Sequence, residues 1–144
     1  MSEIYSPPRI TREITRGRFR NLVPGFALDL TVVDPDDNKP WDSSTKETRE
    51  KARRLQREQR PLLLVGSPMC QWLSTWQYLN TSKSTDKEAI ARSYAAACMH
   101  IRFVDELYRE QIAGDRYFLH EHPRFATSWQ LKCTKGLQDV TGVA

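Results

Sequence analysis

The sequence predicts an α/β fold, a three-layer, mostly parallel sheet with flanking helices, and three observations carry that reading. The run PLLLV at 61–65 is apolar without alternation, as a strand buried on both faces requires. Ile90, Tyr94, Ala97, Cys98, Ile101, Val104, Tyr108 and Ile112 recur at three- and four-residue steps, one helical stripe suited to packing on a sheet. Strand-like and helix-like segments alternate along the chain, which is the pattern of βαβ units.

The elements follow in order. EIY at 3–5 reads as a short strand ended by Pro7 and Pro8, and ITREITRGRF as a short helical turn closing near Gly17. GFALDLTVV at 25–33 alternates and is rich in strand formers, so it predicts a second strand. DPDDNKPWD is a loop by its Pro, Asn and Asp content. Residues 43–60 predict a helix: Ser43 or Ser44 can cap it, Glu47 is placed for a capping box, and Pro61 stops it. Its apolar positions are mainly Ala52 and Leu55, so most of its surface is expected in water. The third strand, 61–65, opens into the loop 66–74, followed by a short helix with Trp76, Tyr78 and Leu79. The main helix spans 86–113, with a capping box at Thr85 and Glu88 and Gly114 as terminator. RYFLHEH at 116–122 is a further strand, 124–135 a helix, and 139–143 a last strand. At 144 residues all of this fits one domain, 1–144.

Composition narrows the setting. With 39% hydrophobic and 28% charged residues the chain reads as a soluble globular protein. No apolar run approaches 18 residues, so no membrane span is expected. MSEIYSPPRI lacks the apolar core of a secretory signal. Cys70, Cys98 and Cys133 show neither a disulfide framework nor metal spacing, so no metal is expected and an intracellular, reducing compartment, cytoplasmic or nuclear, is the default. The net charge of +4 is unevenly placed: residues 1–20 carry five Arg against two Glu, while 28–42 hold five Asp and one Lys. Arg9 and Arg12 are candidates for phosphate contacts; the plainer alternative is an ordinary basic surface.

In parallel α/β sheets the chemistry collects beyond the strand C-termini. Here those ends carry GSPMCQWLS at 66–74 and HEHP at 120–123, so Cys70 and Glu121 are expected as neighbours. GSPMCQWLS resembles the catalytic loop of the cytosine-C5 DNA methyltransferases, G-x-P-P-C-Q-x-F-S: Gly66, Pro68, Cys70, Gln71 and Ser74 match, Leu73 stands for Phe, and Met69 replaces the second Pro. FLHEHP resembles that family's Glu-Asn-Val or Glu-Asn-Pro motif, with Glu121 and Pro123 in place and His122 for Asn. The resemblance implies a small or truncated Rossmann-like methyltransferase core, with Cys70 as nucleophile on cytosine carbon 6 and Glu121 as the acid at N3. A thiolate is among the best side-chain nucleophiles for that weak electrophile, and a carboxyl kept protonated by a low-dielectric pocket lowers the barrier. It also implies S-adenosylmethionine as cofactor, touched by Ser67, Pro68 and an acidic residue, Asp29 or else Asp34 or Asp36, on the ribose. It further implies a DNA base flipped out of the duplex, met by Gln71, Trp72 and Ser74.

The departures from that family are specific. The first strand leads into EIYSPPRIT, which has no Gly where the family has a Gly-rich turn, and no Q-x-R-x-R segment occurs. Target recognition is therefore expected from a partner chain or a polyprotein neighbour. A narrower resemblance, through EIYSPPRIT, GFALDLT, PLLLVGSPMC, FLHEHP and SW, is to a segment of protist mobile-element polyproteins that carry reverse transcriptase. Plainer readings stand beside these: Cys70 as a turn cysteine packed on Trp72 or Trp76, Glu121 as a solvated carboxylate, and His120 with His122 as a metal pair lacking a third ligand. Ser67-Pro68-Met69-Cys70 also faintly resembles the loop of amino-group methyltransferases, which wants an aromatic at Cys70. The competing functional class is a non-catalytic nucleic-acid-binding or assembly module that keeps the fold.

Overall fold

The computed structural model describes residues 1–74 and 86–143. Four short strands, β1 (Ser2–Ile4), β2 (Ala27–Leu28), β3 (Leu63–Gly66) and β4 (Tyr117–His120), form one all-parallel sheet in the order β2-β1-β3-β4. The helices are α1 (Ile10–Thr15), α2 (Lys46–Gln59), α3 (Lys87–Ala113) and α4 (Lys132–Gln138), with 3-10 turns at Gln71–Leu73 and Thr127–Gln130. This is the three-layer α/β class the sequence predicts.

Register sorts the layers. Glu3, Val65 and Leu119 share one face of the sheet, while Ile4, Gly66 and His120 share the other. Right-handed crossovers send the β1–β2 connection over the first face and the β2–β3 and β3–β4 connections over the second. Accordingly α1 meets the Glu3 face, where the buried Glu3 carboxylate accepts from Thr11 N (2.8 Å), Thr11 Oγ1 (2.6 Å) and Ile10 N (3.2 Å). On the second face α2 packs on α3 through Gln56, fully buried, whose Nε2 donates to Leu107 O at 2.8 Å. The main core joins Ile4, Leu28, Leu64, Phe103, Val104, Leu107 and Tyr108. A second cluster places Leu73 against Ala97, Cys98 and Ile101, so Cys98 is a packing residue as its position in the stripe predicts.

Helix α3 exceeds its stripe. Phe103, Leu107 and Gln111 are buried as well, because α2 covers a second side of it, whereas Tyr94 is exposed. Asp86 caps α3, accepting from Ala89 N at 2.8 Å; the predicted Thr85 cap and the short helix with Trp76, Tyr78 and Leu79 lie outside the described residues. Thr45, not Ser43 or Ser44, caps α2 through Thr48 N.

Three boundaries differ from the expectation. The strand foreseen over 25–33 is only Ala27–Leu28, because Asp29 Oδ1 accepts from Thr31 N (3.0 Å) and Thr31 Oγ1 (2.7 Å) and turns the chain away. The helix foreseen over 124–135 splits at Leu131, whose extended backbone separates the 3-10 turn from α4. No strand forms at 139–143: Asp139 closes α4, Val143 N folds back on Val140 O, and Gly142 sits at φ +90°.

The Glu3 carboxylate holds the start of α1 on the sheet. Glu3→Ala should cost about 2–3 kcal/mol, the range for losing hydrogen bonds to a buried charged group. Urea unfolding measures this, and a loss below about 0.5 kcal/mol would contradict the role given to Glu3.

Candidate functional site

In this strand order the chain leaves β1 toward β2 on one side, and β3 lies on the other. The crevice beyond β1 and β3 is therefore a topological switch point, where parallel sheets of this kind take ligands. Three loops meet there, after β1, β3 and β4.

The loop after β3 is positioned by Gly66. A Cβ at Gly66 would lie 2.1 Å from the Tyr108 hydroxyl, so only glycine lets α3 come this close. Beyond it Ser67 N donates to Ile4 O at 3.1 Å, and Pro68 is buried. Met69 and Gln71 are exposed and Cys70 is half-buried with a free thiol, while Leu73 anchors the following turn in the core. Trp72 packs against the Leu73 cluster, and Ser74 is half-buried.

The loop after β4 runs beside it. Glu121 N donates to Gly66 O at 2.9 Å, which sets Glu121 next to the start of the cysteine loop, with its side chain in solvent. His122 is 8% exposed, its Nδ1 is 2.6 Å from Ser128 Oγ, and its ring faces the backbone of Pro68 and Met69. Thr127 Oγ1 donates to Leu73 O at 3.1 Å. The two loops are thus joined at both ends, by Glu121 N on Gly66 O and by Thr127 Oγ1 on Leu73 O, with Cys70 between the joints.

Beneath the mouths lies a polar cluster that sequence reasoning did not assemble. Tyr108 Oη is 3.1 Å from His120 Nδ1, the His120 and His122 rings stack with centroids 5.5 Å apart, and Trp129 meets both edge-on. His120 and His122, two apart in sequence, point the same way; Tyr108 and Ser128 gave no local signal. Burial, and after it the neighbouring His122, push His120 down to about 4; burial also lowers His122 and raises Tyr108. Among the described residues no group of three or more His, Cys, Asp and Glu could hold a metal. A cavity of about 620 Å³ opens on the α3 side of β4, walled by Ile101, Val104, Ile112, Phe118 and Leu137 among others; Cys70 and Glu121 are not part of its lining.

The loop after β1 is different in character. Tyr5 holds φ +58°, a left-handed conformation that an aromatic residue rarely takes, at the position where nucleotide-binding turns use glycine. Its ring is held edge-on to His100 and Phe103, and its hydroxyl is 2.8 Å from His100 Nδ1. The backbone donors of Ile10 and Thr11 are spent on Glu3. Of the residues expected to touch a cofactor, Asp34 is buried and both its oxygens are used, on Lys51 Nζ (2.9 Å) and Asp36 N (3.0 Å). Chiefly the Lys51 hydrogen bond holds its carboxyl below the ordinary range. Ser67 N is likewise used within the sheet. Asp29 directly follows β2 and is half-buried, its Oδ1 tied to Thr31; Asp36 is exposed. The backbone donors of Ile10 and Thr11 beyond β1 and the Asp34 carboxylate are therefore already taken by the chain's own groups, and these residues do not fit S-adenosylmethionine.

Arg9 and Arg12 are exposed beside this first mouth and, like Arg20, make no ion pair among the described residues; Arg16 and Arg18 both pair with Glu13. No helix among the described residues is long and apolar enough to cross a membrane. The fold and site define a small doubly wound α/β domain with a thiol and a carboxylate at adjoining strand mouths. No family model matches the chain, and it is significantly similar to no curated protein and to no solved structure.

His120 is neutral in the fold and takes a proton more readily once unfolded, because its folded value lies below the ordinary 6.5. The stability it contributes is complete above about pH 6.5 and is lost as pH falls toward 4, about 2–3 kcal/mol in all. His120→Gln has no such proton to take. Its urea stability should fall less than the wild type's between pH 7 and 4 by about that amount; parallel curves would contradict the assignment.

Proposed function

We propose that this chain is a methyltransferase-like nucleic-acid-binding module of the cytosine-C5 type that keeps the base-facing half of the site and lacks the cofactor-facing half. The observation that carries the reading is the contrast between the mouths. Glu121 is exposed and Cys70 half-buried on joined loops, while beyond β1 the Glu3 carboxylate takes the first donors of α1 and Tyr5 stands in the turn, packed on His100 and Phe103. The side chains of the first pair suit the edge of a cytosine, a soft thiol toward carbon 6 and a carboxyl toward N3. Glu121 is in solvent in the free chain, so its carboxyl is open to the edge of a bound base. Arg9 and Arg12 supply unpaired positive charge for phosphates beside the same crevice.

A second reading, a DNA cytosine-C5 methyltransferase, is favoured by the match of Gly66, Pro68, Cys70, Gln71 and Ser74 and by the adjacency of Glu121 to Gly66. In it Cys70 bonds to carbon 6, Glu121 gives its proton to N3, and carbon 5 becomes the nucleophile.

Calorimetry with S-adenosylhomocysteine separates the two without knowledge of a target sequence. The proposal expects no binding tighter than about 1 mM, that is, weaker than about −4 kcal/mol. Micromolar binding, followed by methyl transfer to DNA that is lost in Cys70→Ala, would overturn it in favour of the enzyme.

A further inference from the structure

The loop after β4 carries an exposed aromatic residue on a rigid mount. Phe125 is 74% exposed, and the Arg124 guanidinium lies over its ring at 5.4 Å from the centroid. Isolated exposed apolar residues are ordinary, but this one is not on a loose loop. Pro123 O accepts from Ala126 N (2.9 Å) and from Trp129 Nε1 (2.8 Å), which closes the turn beneath it. The buried His122–Ser128 contact and the Thr127–Leu73 hydrogen bond pin the turn on either side.

Two joints set its place. Because Glu121 N holds Gly66 O and Thr127 Oγ1 holds Leu73 O, Arg124 and Phe125 on one loop and Cys70 and Gln71 on the other lie between the same two joints. Between those joints Met69, Gln71, Arg124 and Phe125 are exposed and Cys70 is half-buried. Arg124 makes no ion pair among the described residues, so its charge is available. A flat hydrocarbon face with a guanidinium over it, on a loop joined to the one with Gln71, offers what a single unpaired nucleotide needs: stacking for the base and a cation for its phosphate.

We propose that Phe125 and Arg124 form a stacking platform for one unpaired nucleotide at the rim of the Cys70 mouth, so that the module takes single-stranded nucleic acid. The inference rests on the nucleic-acid reading above and adds the substrate form and the residues that grip it. Phe125 stacks the base, Arg124 neutralises the adjoining phosphate, and stacking makes the preference tolerant of base identity.

The test is fluorescence anisotropy of a labelled twelve-residue oligodeoxycytidylate with the wild-type chain and its variants, at 50 and 200 mM salt. Phe125→Ala should weaken binding about tenfold or more, Phe125→Leu nearly as much, and Phe125→Trp should bind within about threefold of wild type. Arg124→Ala should lower the logarithmic salt slope by about 0.7. Circular dichroism confirms that each variant is folded, as expected for side chains in solvent. If Phe125→Ala or Phe125→Leu binds like wild type while the double substitution Arg9→Ala, Arg12→Ala weakens binding, the platform is overturned and the nucleic-acid reading stands. If the wild type binds no oligonucleotide at either salt, that reading fails and the platform with it.

Discussion

The contact between Gly66 and Tyr108 is the constraint on which the rest depends. Tyr108 Oη lies against the Gly66 backbone, 3.3 Å from its carbonyl and 3.4 Å from that of Leu119, and the ring stacks on Phe118. One side chain from α3 thereby sets the spacing of β3 and β4 at their C-terminal ends. The same Gly66 carbonyl receives Glu121 N, so the loop bearing Cys70 and the loop bearing Glu121 leave the sheet from one shared point. A side chain at Gly66 would push α3 off the sheet and separate the mouths together. The polar cluster of His120, His122 and Ser128 continues this contact outward and fixes the second loop against the first.

The two halves of the crevice are built in opposite ways. Beyond β3 and β4 the chain leaves a thiol, a carboxylate and an aromatic residue open above a buried support. Beyond β1 it spends its donors on itself, through Glu3, and fills the turn with a tyrosine held in a strained conformation by His100 and Phe103. A site that must release and rebind a nucleoside cofactor needs backbone donors free at that turn. A site that only grips a base needs none there, which is why the asymmetry supports binding over turnover.

Much of the fold was legible because it rests on periodicity. PLLLV, the long stripe of α3 and RYFLHEH each declare their element through spacing that burial enforces, and two strand ends next to Cys70 and Glu121 follow from parallel topology. The failures were local. Asp29 ends β2 through a side-chain hydrogen bond that a strand pattern cannot reveal, and Leu131 breaks a helix with no proline or glycine to announce it. The left-handed Tyr5 was illegible for a deeper reason: only tertiary packing makes an aromatic residue accept φ +58°. Tyr108, His120, His122 and Ser128 are likewise spread over twenty residues and meet only in the fold. The Glu3 carboxylate looked like one charge among many in a basic segment, yet its burial decides how the first mouth is used.

The most direct test of this account is photochemical mapping. An oligonucleotide with one 4-thiothymine, irradiated in complex with the chain and digested, reports which peptide the unpaired base touches. Cross-links within residues 66–74 and 121–127 are the result expected if the joined loops receive the base. Cross-links confined to α2 or to α1, with both loops untouched, would contradict it and reduce the resemblance of these mouths to a base-binding site to a likeness of sequence alone.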